Sequence, residues 1–86
     1  MDKERIKKVS KVKDLQISEY EYFLLNCNFT DRQKEIYELL NRGLNIVEIS
    51  EFQSSNFKYL PTSESTVKRE KKKIEEKIIS VIVGKL

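Results

Sequence analysis

An all-α fold, a small bundle of about four helices ending in one long C-terminal helix, is what this sequence predicts. Three observations lead there. Two capping boxes, Thr30 with Gln33 and Asn45 with Glu48, announce two helix starts in quick succession. Apolar residues recur at steps of three and four in the stretches that follow and precede them, the spacing of one helical face. With 38% hydrophobic residues among 86, the chain can close one modest core despite 36% charged residues.

Residues 1–13 carry only Ile6, Val9 and Val12 as internal apolar residues, three apart among lysines, which fits either a short amphipathic helix or a basic arm. The main domain is expected over 14–86. Ile17, Tyr20, Leu24 and Cys27, with Phe23 beside the stripe, predict a helix of about three turns that starts near Ile17 or Ser18 ahead of Glu19 and Glu21. Thr30 then caps a helix whose apolar face is Ile36, Leu39 and Leu40. Gly43 ends it in a left-handed turn that folds Leu44 back onto Leu39. Asn45 caps the next helix, stapled by Leu44 and Ile49 and running to about Phe52 or Gln53.

SSNFKYLPT, centred on the 53–62 stretch, is a loop by its Ser, Asn and Pro content, with Phe57, Tyr59 and Leu60 expected to anchor it onto the core. Thr62 or Ser63 caps the last helix, where Val67, Lys71, Ile74 and Ile78 share a face. A turn of about 100° per residue sets Ser65, Arg69, Lys72 and Glu76 on the opposite side, flanked by Lys68 and Lys73. Farther on, Ile79 and Val83 occupy the side that was charged a turn earlier, so they require cover from the first helix or from a homodimer contact. The β-branched run here also suits a strand. Helix is favoured because nothing breaks the pattern before Gly84.

Cys27 is the only cysteine and histidine is absent, which excludes disulfide frameworks, Cys/His zinc sites and His-based dyads or triads. Cys27 is expected in the core. The charged start and the lack of a long apolar run predict no membrane span and a cytoplasmic location. Charge is partitioned along the chain. Residues 1–13 hold six Lys/Arg against two acids, 14–51 three against eight, and 52–86 eight against four. Basic ends of this kind suit a phosphate-facing surface. Two glycines and no histidine leave no phosphate loop and no acid/base constellation, so neither an enzyme nor a cofactor is expected.

FTDRQKEIYELLNRGLNIVEIS followed by SESTVKRE resembles the helix-turn-helix of LuxR-type effector domains and sigma factor region 4. The matching features are the Thr-x-Arg-Gln opening, Gly-Leu after the helix it caps, the Glu48-Ile49-Ser50 triplet and Ser-x-Ser-Thr-Val-Lys-Arg. They span roughly residues 29 to 74 in that order. The resemblance implies a transcription-associated protein that binds double-stranded DNA, its last helix in the major groove. It places Ser65, Lys68, Arg69 and Lys72 toward DNA, with Ser63, Thr66 and Lys73 nearer phosphates. The turn is expanded, since 17 residues separate Ile49 from Val67 where the family has a shorter connection. The alternative is an interaction module of the same fold that docks on RNA polymerase or another regulator through the acidic middle and the apolar tail.

Overall fold

Five helices follow one another along the chain: α1 (Lys3–Ser10), α2 (Ile17–Asn26), α3 (Asp31–Asn41), α4 (Ile46–Ser54) and α5 (Glu64–Gly84). The computed structural model describes residues 3–13, 15–55 and 62–84, and among these no strand occurs. The expected anchoring by Phe57, Tyr59 and Leu60 lies outside the described residues. The C-terminal apolar run is helical to Gly84, so the strand alternative is set aside.

The last helix is the spine. All four others pack against α5, and its 21 residues, about 32 Å at the α-helical rise, account for most of the longest dimension of 39 Å. Val67, Ile74 and Ile78 are fully buried along it, with Ile82 nearly so. The face expected from sequence is therefore the one that packs. The fifth helix is α1, and Val9, which is 0% exposed, explains why it is no free arm: its side chain is part of the core.

The ends of the helices show why the chain turns where it does. In α1 the Lys13 N–H donates to the Lys8 carbonyl at 2.9 Å and the Val12 N–H to the Val9 carbonyl at 3.0 Å. That is a Schellman closure with Val12, φ 58°, in the left-handed position. A β-branched residue there costs about 1–2 kcal/mol. Burial of the Val12 side chain, left 4% exposed, offsets it at about 1.5–3 kcal/mol. After α3 the same closure uses glycine: Leu44 N–H donates to the Leu39 carbonyl and Gly43, φ 92°, to that of Leu40. Leu44 is thereby folded back as expected.

Both capping boxes form. Gln33 N–H donates to Thr30 Oγ1 at 3.2 Å while Thr30 N–H donates to Gln33 Oε1 at 3.1 Å. In α4, Glu48 N–H donates to Asn45 Oδ1 at 2.9 Å and Asn45 N–H to Glu48 Oε1 at 3.0 Å. The start of α2 uses the same return bond, with Gln16 N–H donating to Glu19 Oε1 at 3.0 Å. Glu19 also receives the Arg5 guanidinium through Nε and Nη2, so one carboxylate starts α2 and ties it to α1.

One sequence expectation fails in α2. Ile17 is 80% exposed, whereas Phe23 and Cys27 are buried and Tyr20 and Leu24 half-buried. Ile17 lies about 120° around the helix from Phe23, and the helix has turned to sink the larger ring. Tyr20 stacks on Tyr37 at 4.8 Å, and the Tyr37 hydroxyl donates to the Tyr20 carbonyl. Tyr37 thus fills the space between α2 and α3 with its polar end satisfied.

Candidate nucleic-acid interface

Ser63 starts α5: its Oγ accepts the Thr66 N–H at 3.2 Å, and the two hydroxyls lie 3.0 Å apart. The two residues that the sequence places nearest phosphates therefore bond to each other at the helix entrance. Beyond them Ser65, Lys68, Arg69, Lys72 and Lys73 are all exposed, opposite the fully buried Val67 and Ile74. The first three turns of α5 are anchored on one side and cationic on the other.

The acid within this run points away from that face. The Glu70 side chain is only 14% exposed, and its Oε2 accepts from Gln33 Nε2 at 2.9 Å. Its other oxygen is 3.7 Å from Lys73 Nζ. Lys73 accordingly sits on the α3 side, where it lines a groove with Cys27, Gln33 and Lys77. Among the described residues, Lys68, Arg69 and Lys72 lie within ion-pair distance of no carboxylate.

Gln33 holds this arrangement in place. It is 3% exposed, and besides closing the Thr30 box its Oε1 accepts from Lys77 Nζ at 2.5 Å. Lys77 also donates to the Asn28 carbonyl at 3.1 Å. The residue expected to cap α3 thus fixes α5 at two points, Glu70 and Lys77, nearly two turns apart. Nothing in the local sequence signals bonds that span 37 and 44 positions.

The entrance to α5 is held from the other side. Arg32 Nη2 donates to Thr62 Oγ1 at 2.8 Å and Ser54 Oγ to the Thr62 carbonyl at 2.9 Å. The end of α4, the start of α3 and the approach to α5 converge on buried Thr62. Ser50 is buried beside Ile49, its hydroxyl donating to the Val47 carbonyl, so a small, internally satisfied residue faces the α4–α5 packing. Ile49 and Val67 are both fully buried.

Burial pushes the Cys27 thiol up to about 11, with Lys77 acting in the opposite direction. Cys27 is a protonated core residue at neutral pH. Burial likewise raises the Tyr37 phenol above its ordinary range. Among the described residues no group of three His, Cys, Asp or Glu side chains is placed to hold a metal ion. No described helix is long and apolar enough to cross a membrane. Farther along α5, Ile79 is 41% and Val83 61% exposed, so α2 does not cover them.

Comparison with protein-family models, curated proteins and solved structures finds no match.

Replacing Gln33 with Leu keeps the volume, leaves its backbone N–H on Thr30 Oγ1 and removes the side-chain bonds to Thr30 N–H, Glu70 and Lys77. The Thr30 N–H, Glu70 and Lys77 lose a partner together, and a stability loss of about 2 kcal/mol in urea unfolding is expected. A loss below about 0.5 kcal/mol would show that Gln33 does not fix α5.

Proposed function

We propose that this chain binds double-stranded DNA as a transcription-associated regulator of helix-turn-helix type, with the N-terminal half of α5 in the major groove and α4 braced against the backbone. The observation that carries the proposal is the exposed triplet Lys68, Arg69 and Lys72, without an ion-pair partner among the described residues, on a helix whose opposite side carries the fully buried Val67 and Ile74. A helix about 10–12 Å across fits a major groove about 12 Å wide. A presented helix that cannot rotate about its axis meets base edges with a fixed set of side chains.

The roles divide by chemistry. Arg69 lies one turn from Ser65 and carries the planar donor fork that engages guanine O6 and N7 together, a contact worth about 1–3 kcal/mol of discrimination. Lys68 and Lys72 are point charges suited to phosphates. Ser65, exposed at the leading turn, is placed for a base edge. Ser63 and Thr66 act by shaping the helix entrance, and Lys73, partly balanced by Glu70, contributes less. This is binding without catalysis or a cofactor: the only thiol is buried and protonated.

Ile79 and Val83 favour a second reading of the same fold, a contact through the C-terminal half of α5 with a second copy or with RNA polymerase. The two readings are compatible, because the basic and apolar segments occupy successive parts of one exposed helix face.

For a duplex selected from random sequences, Arg69→Ala is expected to flatten preference at one or two positions. Lys72→Ala is expected to weaken all duplexes alike and lower the salt slope by about one. Circular dichroism establishes that both variants are folded. A folded double variant that binds the selected duplex as tightly as the parent overturns the proposal. For the tail, an Ile79→Glu, Val83→Glu variant should sediment as a smaller species whose melting temperature no longer rises with protein concentration. An unchanged sedimentation profile would show that no second copy is held there.

A further inference from the structure

A second concentration of positive charge lies beside α5, where the end of α1, outside the motif that resembles a helix-turn-helix, meets the α3–α4 turn and Lys71 within it. The end of α1 and the α3–α4 turn form the walls of a groove that Lys11, Lys13, Arg42 and Lys71 line. Among the described residues no acidic side chain lines it. Arg42 is held by Glu38 at 2.7 Å, whereas Lys11, Lys13 and Lys71 lie within ion-pair distance of no carboxylate among the described residues. Lys7 and Lys8 continue the charge around α1 with Lys11 and Lys13, where Glu4 is the one acid among the described lining residues.

Lysines at the end of a helix have an ordinary explanation, since the macrodipole favours cations there. That accounts for Lys7 and Lys8 in the last turn of α1. It does not account for Lys11 and Lys13, which lie past the helix end, nor for Lys71, which belongs to α5. Three elements bring these cations together. The left-handed Val12 between Lys11 and Lys13 is a strained residue kept in place by burial of its side chain, which makes this corner a rigid feature of the fold.

The groove also adjoins the proposed reading face. Lys71 is half-buried on the side of Val67 and Ile74, and lies three residues from Lys68, so it borders the exposed triplet of α5 at Lys68. At the far wall α4 begins, with the amides of Asn45 and Glu48 taken up by their capping box. In a helix-turn-helix the helix before the reading helix crosses the DNA backbone. Here the start of that helix shares a groove with Lys11 and Lys13.

We propose that Lys11, Lys13 and Lys71 form a phosphate clamp, gripping the backbone of the duplex whose major groove α5 enters. The proposal rests on the DNA-binding reading and extends it. α1 becomes part of the interface, and the corner between α1 and the α3–α4 turn follows one strand along the edge of the groove. Contacts of this kind position the protein without reading sequence, which suits a single reading helix on a chain with a modest net charge of +3.

The test compares the full chain with Lys11→Gln, Lys13→Gln, Lys71→Gln on a selected duplex, titrated over a range of salt. The triple variant should lose about two to three from the slope of log K against log salt, at about 0.9 per phosphate contact, and keep the parent's ranking of duplexes. Phosphate-ethylation interference should disappear along one flank only. Should the half-buried Lys71 prove necessary for folding, the exposed pair Lys11→Gln, Lys13→Gln gives the same result at a slope loss of about two. An unchanged slope, in a setting where the parent binds and Arg69→Ala loses preference, overturns the clamp and leaves the DNA-binding reading standing. A variant that loses duplex ranking along with slope also overturns it, since its lysines then act on base readout. A parent chain with no salt-dependent duplex binding removes both proposals.

Discussion

One buried amide sets the direction of the helix on which everything else depends. Gln33 closes the cap of α3, donates to Glu70 and accepts from Lys77, so the N-terminus of one helix is bonded to two turns of another. A cap alone would stabilise α3 and leave α5 free to roll on its apolar stripe. Partners nearly two turns apart on α5 oppose rolling as well as sliding, and leaving any of them unsatisfied in a buried site costs about 1–3 kcal/mol. Val67, Ile74 and Ile78 supply the non-directional attraction. Gln33 supplies the orientation.

That orientation sorts the charges. Glu19 starts α2 and holds Arg5, Glu38 holds Arg42, Glu48 closes the cap of α4, and Glu70 turns inward to Gln33. Glu19, Glu38 and Glu48 of the acidic middle, and Glu70 of α5, are thus engaged in fixing helix ends or holding a neighbouring side chain. Lys68, Arg69 and Lys72 on α5, with Lys11 and Lys13 past α1, are left without such partners among the described residues. The net charge of +3 is unevenly spread, with +4 over residues 1–13 and +4 over 52–86 flanking an acidic middle.

Local chemistry was legible in the sequence, and long-range chemistry was not. The Thr30 and Asn45 boxes, the Gly43 turn and the buried face of α5 each follow from residues within a few positions of one another. Helix phase was harder: Ile17 and Phe23 are both apolar, and only packing against the rest of the bundle decides that the ring is buried and Ile17 is not. The fate of 1–13 likewise depended on whether Val9 and Val12 found a core to enter. Val12 in a left-handed conformation runs against its own preference, so no local rule points to it. For the candidate interface, the spacing of Lys68, Arg69 and Lys72 was sufficient to place them on one exposed face. The inward turn of Glu70 and the groove shared by Lys11, Lys13 and Lys71 required the fold.

The central claim is that α5, held by Gln33, presents residues 65–73 to a duplex. Amide-correlation NMR of the full chain, titrated with a selected duplex, tests it most directly because it reports every contacted segment at once. The account predicts perturbations concentrated in residues 65–73, at the start of α4, and around Lys11 and Lys13, with Ile79 and Val83 unmoved by DNA. Perturbations confined to the C-terminal half of α5, or a spectrum unchanged at saturating duplex, would contradict it.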